Sequence, residues 1–306
     1  MNAISAQGGR REKIRHSMGD RIYYAVSKVL LTLLWLIIAY PVVYVLSASF
    51  SSGIAVSSGQ VVLWPVDLSL ESYRAVFQHP DIMTGYRNTI FYTVTATTLN
   101  VAMTMIAAYP LSRGDMPGRN GFMFLFSFTM WFSGGLIPFY ILMSNMRMIN
   151  TVWVMIIPGA ISVYNMILVR TFLANSIPKE LLEAATIDGC SDAGYFIYML
   201  LPLAKAVIAV ITLFYAVGHW NQYFNGFIYL INRKLMPLQV ILREVLVKNQ
   251  IDMTLIADPE LAVARQGLAD VLKHALIVVA TVPILCVYPF IQRYFVQGVM
   301  IGSIKG

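Results

Sequence analysis

Charge is scarce in this chain. Its 306 residues hold 22 Lys and Arg and 15 Asp and Glu, so 12% are charged against 58% hydrophobic. A soluble globular domain carries about twice that share of charge, and that class is excluded. Cysteine is nearly absent. Cys190 falls in a polar loop and Cys286 in the last apolar run. They would lie at different depths, which offers neither a disulfide nor a metal-ligand spacing. The apolar runs contain no Asp or Glu in their central portions. Ion-driven secondary transporters usually place relay carboxylates there, so that class is disfavoured. No paired carboxylates, Ser/Lys dyad or His cluster falls at one depth, which argues against an intramembrane enzyme. There is no G-x-x-x-x-G-K-[ST] phosphate loop. The first apolar run is too long for a signal-peptide core and no small-residue cleavage site follows it, so no cleavable signal is expected.

What is abundant is apolar sequence in runs of about twenty residues, enough to cross a ~30 Å hydrocarbon core as a helix. The pattern predicts an all-α membrane protein with six transmembrane helices, near 25–47, 88–111, 121–143, 151–169, 204–231 and 272–294. Pro41 predicts a kink in the first. The second is rich in Thr and carries Asn100, an amide that needs a partner helix or a wet cavity. Ser133-Gly134-Gly135 and Pro138 interrupt the third. Pro158-Gly159 and Asn165 lie in the fourth, and the second half of the fifth reads GHWNQYFNGFIYL, unusually polar for a span. Outside the spans, LSLESYRAVF starts a helix at Leu68 or Ser69. In PLQVILREVLVKN, Leu238, Ile241, Leu242 and Val245 repeat at helical spacing, which predicts an amphipathic helix on the outer surface or on a partner.

Basic residues set the orientation. The N-terminal arm (Arg10, Arg11, Lys13, Arg15, Arg21), the 112–120 link (Arg113 and Arg119 against Asp115), the 170–205 loop and the C-terminal tail hold most of them. The first two opposite loops hold only Arg74, Arg87 and Arg147. Both termini and the 176–202 loop are therefore expected on the cytoplasmic side. The net charge of +7 is accounted for in this way. No basic cluster interleaved with aromatics appears in a soluble stretch, so no nucleic-acid partner is expected.

The 176–202 loop, SIPKELLEAATIDGCSDAGYFIYMLLP, is the best punctuated inner segment of the second half. Ser176 is positioned as an N-cap, Pro178 in the first turn, and Glu180 at the positive end of the helix dipole. Leu181, Leu182, Ala184 and Ala185 form a small apolar face. Gly189 is placed to stop the helix in the left-handed conformation. Ser191 and Asp192 cap a second helix running through Pro202 into span five. Physics leaves two readings open. The hairpin either returns the chain to the membrane, or it offers Glu183 and Asp188 with small Ala184, Ala185 and Gly189 to another surface.

The run Glu183-Ala184-Ala185, three residues, Gly189, nine residues, Met199, one residue, Leu201-Pro202 resembles the Glu-Ala-Ala loop of ABC importer permeases. That family has Ile at the place of Met199 and often Pro at the place of Ala206, so span five could begin straighter here. AAYPLSR, SGGLIPFY, HWNQYFNGFIYL, PLQVILRE and YPFIQRYFVQGVMIGSIKG extend the resemblance from Tyr86 to the end. It is similar to the binding-protein-dependent sugar importers of maltose-permease type, in their polysaccharide or lipo-oligosaccharide branch.

The resemblance implies a type I importer permease: a basic arm at 1–24, the first helix and an outer segment at 25–84, a core at 85–294 with its coupling loop at 173–203, and a cytoplasmic tail at 295–306. It implies that Glu183 anchors a separate ATPase, that Ala184, Ala185 and Gly189 allow the fit, that Pro202 fixes the turn into span five, and that Asp188 and Leu201 belong to the same coupling set. ATP and Mg would be used by that ATPase dimer and no cofactor by this chain. The other partners implied are a second, different permease subunit, an extracytoplasmic solute-binding protein, a carbohydrate and membrane lipid, in a bacterial cell membrane. Aromatic faces and amides bind sugars, which singles out Trp220, Asn221, Tyr223, Phe224 and Asn225, with Asn100 and Asn165 behind them; helix packing is the competing role for each. His219 reads as a packed polar residue. An ABC permease for a non-sugar solute is the alternative, with an ion-coupled transporter behind it.

Overall fold

The computed structural model describes residues 17–252, 267, 269–286 and 289. Most of the expected basic arm, the end of the sixth expected span and the expected tail lie outside the described residues. All regular structure among the described residues is helical. In chain order the helices are α1 (Met18–Ser49), α2 (Gly53–Ser57), α3 (Glu71–Gln78), α4 (Pro80–Ser112), α5 (Arg119–Trp131), α6 (Leu136–Asn145), α7 (Trp153–Ile156), α8 (Val163–Ser176), α9 (Lys179–Ile187) and α10 (Asp192–Gly194). A π-turn (Tyr195–Leu200) leads into α11 (Leu201–Leu203), followed by α12 (Lys205–Trp220), α13 (Phe224–Tyr229) and α14 (Leu238–Asp252). The last is α15 (Ala269–Cys286).

Among the described residues three helices are long and apolar enough to span a membrane: α1, α4 and α15. Two bent pairs raise the number to five: α5 with α6, at 112°, and Asp192–Leu203 with α12, at 80°. The first bend falls at the Ser-Gly-Gly sequence, where Gly135 takes φ 82°. The expected fourth span is not continuous. It is divided into α7 and α8 at Pro158-Gly159, where Gly159 has φ 74°, and α8 alone has 14 residues, about 21 Å of helix.

A capping box starts α1, with Ser17 accepting from the Asp20 N–H and Asp20 accepting from that of Ser17. Its 32 residues include Pro41 without a division of the helix, and its apolar side chains are exposed except near the C-terminal end. Hydrocarbon or another subunit suits such a surface. At the centre lies α4, against α3, α7, α8, α12 and α14. It starts at Pro80 rather than 88, because Pro80 and Asp81 suit a first turn.

One cluster of buried residues joins α4, α8 and α12 to the 176–202 hairpin (Met105, Met166, Val169, Ala185, Tyr195, Ile211). A second joins α4, α14 and α15 (Ile82, Leu238, Ile241, Leu242, Leu276). This second cluster corrects the expectation for the amphipathic helix: its apolar face is covered by this chain's own helices. Thr89 of α4 accepts from the Leu238 N–H at 2.8 Å, which fixes the start of α14. Gly226 lets Pro237 come close; a Cβ there would lie 2.7 Å from the proline ring.

Span five also departs from expectation. Its helix ends at Trp220, residues 221–223 turn, and α13 follows as a separate short helix. Its beginning is bent rather than straight, with the break at Ala204, which is fully buried. Pro202 has no N–H to continue the ladder, and the wide π-turn immediately before it accommodates the fault.

Candidate functional site

The 176–202 hairpin is built by local rules at its tip and by tertiary packing at its root. Ser176 is the last residue of α8 rather than an N-cap, and Pro178 takes the cap position of α9 with extended backbone. At the tip Gly189 has φ 76°. Its N–H donates to the Thr186 carbonyl at 3.1 Å and that of Cys190 to Ala185 at 2.9 Å. These two bonds form the Schellman arrangement that closes a helix. A Cβ at 189 would meet nothing within 4 Å, so glycine serves the backbone angle there rather than a close approach. Ser191 caps the second arm, accepting from the Gly194 N–H at 3.1 Å.

The hairpin divides its residues by face. Glu183, Ala184, Asp188 and Gly189 are exposed, as are Cys190 and Pro202. Leu201 is half-buried. Ala185 is 3% exposed and packs in the cluster with Leu173, Tyr195 and Leu200. This corrects its assignment to a docking tip: its small side chain lets α9 close onto its own spans. A cavity of 590 Å³ lies beside the hairpin, lined by Glu183, Leu182 and Tyr195 on one side and Tyr109, Arg113 and Asp115 on the other.

Arg113 closes this region. It donates to both oxygens of Asp115 (2.9 and 2.6 Å), to Asp192 Oδ1 (2.5 Å) and to the Tyr109 hydroxyl (3.2 Å). The hydrogen bonds from Arg113 hold the Asp115 carboxyl below its ordinary range, and Asp115 in turn raises the guanidinium further. Arg170 of α8 donates to the Leu111 carbonyl at 3.1 Å, so the end of α4 is tied to the elements on both sides of α9.

A polar seam runs between α4, α8 and α12. Asn100 is 2% exposed. Its Nδ2 donates to the Gly159 carbonyl at 3.2 Å and faces His219 Nε2 at 3.3 Å. With the amide assigned this way, His219 accepts at Nε2 and carries its proton on Nδ1, toward Gln222 Oε1 at 3.3 Å. Asn100 Oδ1 is buried and has no hydrogen-bond partner among the described residues. Asn165 of α8 is 5% exposed.

The fifth-span candidates meet different surroundings. Trp220 is buried and its indole N–H donates to the Ala280 carbonyl at 2.9 Å. Asn221 turns back to the Val217 carbonyl. Phe224 is exposed and Asn225 half-buried. Tyr223 stacks on Phe227, with Arg243 above it at 4.7 Å from the ring centroid.

No protein-family model matches the chain. Among curated proteins, the polygalacturonan/rhamnogalacturonan transport system permease protein YtcP of Bacillus subtilis is 38% identical over 292 residues, covering 94% of this chain and all of that protein. Protein LplC of the same organism is 39% identical over 267 residues, covering 87% of this chain and 89% of that one. This chain belongs to the ABC sugar-importer permeases. A crystal structure of a bacterial ABC transporter involved in the import of the acidic polysaccharide alginate contains a chain that superposes on this permease with a TM-score of 0.81 and 36% identity, over 92% of this chain and 100% of that one.

Of the residues the sequence singled out in this permease, the fold brings the hairpin set together and buries Asn100 on α4 and Asn165 on α8. It separates Trp220 from them, on the side facing α15. The hydrogen bonds by which Arg113 and Tyr215 tie separate elements together were not legible in the sequence. Arg113 was legible only as a charge in the 112–120 link. Tyr215 lay in an apolar run, and its partners, Thr104 and Ser162, come from other helices.

Proposed function

We propose that this permease is one of two different membrane subunits of an importer that moves an oligo- or polysaccharide into a bacterial cell across its plasma membrane. The motor is a separate cytoplasmic ATPase dimer, which binds ATP and Mg, and the solute arrives on an extracytoplasmic binding protein. With six spans and the basic residues of the short flanks turned inward, both termini and the hairpin lie on the cytoplasmic side. The domain plan is the arm at 1–24, the first helix and outer segment at 25–84, the core at 85–294 and the tail at 295–306. The observation that carries this reading is the hairpin. It projects Glu183, Ala184, Asp188 and Gly189 outward while Ala185 and Leu200 root it in the packing of α4, α8 and α12. A push on the exposed face is thereby delivered to three helices, as a rigid-body lever requires. Leu201 and Pro202 set the turn from the lever into α12.

Asn100 Oδ1 supplies an unpaired acceptor for a solute hydroxyl, with Asn165, Asn225, Tyr223, Phe224 and Asn221 as the remaining contacts of the path. Trp220 holds α12 to α15 at its edge. The test is ATP-driven accumulation of labelled oligosaccharides by vesicles containing the full complex, using glycans first shown to bind the cognate binding protein. Accumulation that requires both ATP and that protein is expected. Uptake driven by an ion gradient without ATP would overturn the reading.

A further inference from the structure

The hairpin has a second attachment, which its own sequence does not reveal. Asp192, in the first turn of its second arm, meets Arg113 immediately after the end of α4. Arg113 does not swing freely. Asp115 grips it through both oxygens, the Tyr109 hydroxyl takes a further N–H, and its own carbonyl accepts from Arg119 Nη1 at 3.3 Å. An independent contact runs in parallel. The Tyr109 ring lies 6.3 Å from Tyr195 and 5.3 Å from Phe196, both in the π-turn. The end of α4 therefore holds the second arm at two places, one ionic and one aromatic. The Asp192 side chain is 73% exposed and that of Arg113 23%. A pair so open to water contributes little to stability; Asp192 takes a single N–H of a guanidinium whose direction the two-oxygen grip of Asp115 fixes.

We infer that Arg113 is a positioning residue for energy coupling: through Asp192 it makes the second arm of the hairpin and the end of α4 move as one body, so that α4 receives the displacement directly. Without this link the hairpin would pull through the backbone only on α8 and α12, the helices continuous with it. The central helix, which carries Asn100, would then follow only through packing, the Tyr109 ring contacts and the Arg170 bond to the Leu111 carbonyl. The inference rests on the hairpin being the ATPase dock and adds to it a second output.

The test uses the complete transporter in vesicles, reading ATPase subunits bound, ATP hydrolysed and solute accumulated. Asp192→Lys sets two cations against each other. It is expected to retain the ATPase and hydrolyse ATP while solute moved per ATP falls about five-fold or more, the lower end of usual coupling factors between sites. Asp192→Asn, isosteric and at an exposed position, is expected to show a smaller fall in the same ratio, and Asp192→Glu to restore it. Melting temperatures of the permease should be unchanged throughout, which separates positioning from folding. An unaltered solute-to-ATP ratio in Asp192→Lys overturns the inference; if that variant fails to assemble, an unaltered ratio in Asp192→Asn does so. Failure of the docking reading looks different: Glu183→Lys would then keep both ATPase binding and uptake.

Discussion

The Tyr215 hydroxyl of α12 stands 2.7 Å from Thr104 Oγ1 of α4 and accepts from the backbone N–H of Ser162 at 3.0 Å. Ser162 is the N-cap of α8, so one phenol pins three helices at the level where α7 and α8 separate. Tyr215→Phe keeps the ring and strips the pin. It should cost about 1–3 kcal/mol, the usual penalty for stranding buried polar groups, read as a lower melting temperature in detergent. An unchanged melt would show that water replaces the hydroxyl.

Trp220 and Asn100 should separate under mutation. Trp220→Phe loses the bond to Ala280 and is expected to lower stability by about 0.5–1.5 kcal/mol while leaving the half-saturating solute concentration for transport unchanged. Asn100→Ala removes the orphaned acceptor and should raise that concentration. Steady-state uptake at graded solute with saturating ATP distinguishes them.

The hairpin was the most legible part because its rules are local. A left-handed glycine and a serine cap act within a few residues, and Gly189 and Ser191 do what their positions predict. The break at Gly134-Gly135 was legible for the same reason. Tertiary choices were not. Ser176 had cap chemistry, but α8 runs through it because packing of Leu173 and Val169 carries the helix onward. The α14 stripe announced a buried face without saying that α4 and α15 would cover it. The end of α12 at Trp220 and the inward turn of Ala185 depend on partners distant in sequence, so periodicity could not show them.

At the tip, Gly189 should tolerate Asn far better than Val. No atom crowds the position, so the penalty is purely conformational: about 1–2 kcal/mol for an ordinary side chain at positive φ, and more for a β-branched one. Amide hydrogen exchange at Cys190, whose N–H closes the turn on Ala185, should accelerate in Gly189→Val and stay slow in Gly189→Asn.

Acid should release the Arg113 clamp late. The folded Asp115 carboxyl lies below its ordinary value, chiefly through its hydrogen bonds to Arg113. Its contribution is thus fully present above the unfolded value and is lost only as pH falls through the lowered folded one. A carbon-detected carboxylate titration should find Asp115 ionised after unperturbed aspartates have protonated. An ordinary midpoint, or one restored only in Arg113→Gln, decides whether Arg113 is the cause.

The exposed face of the hairpin is the proposed place where an ATPase drives this permease, and Glu183→Lys tests that docking. Glu183 is exposed and borders the cavity between α9 and the 112–120 link, so its replacement should leave folding and membrane insertion intact. In vesicles bearing the complete importer, the account predicts normal permease insertion with ATPase subunits lost or ATP-driven solute uptake abolished. Uptake equal to that of the unaltered protein, with the ATPase still bound, would contradict it.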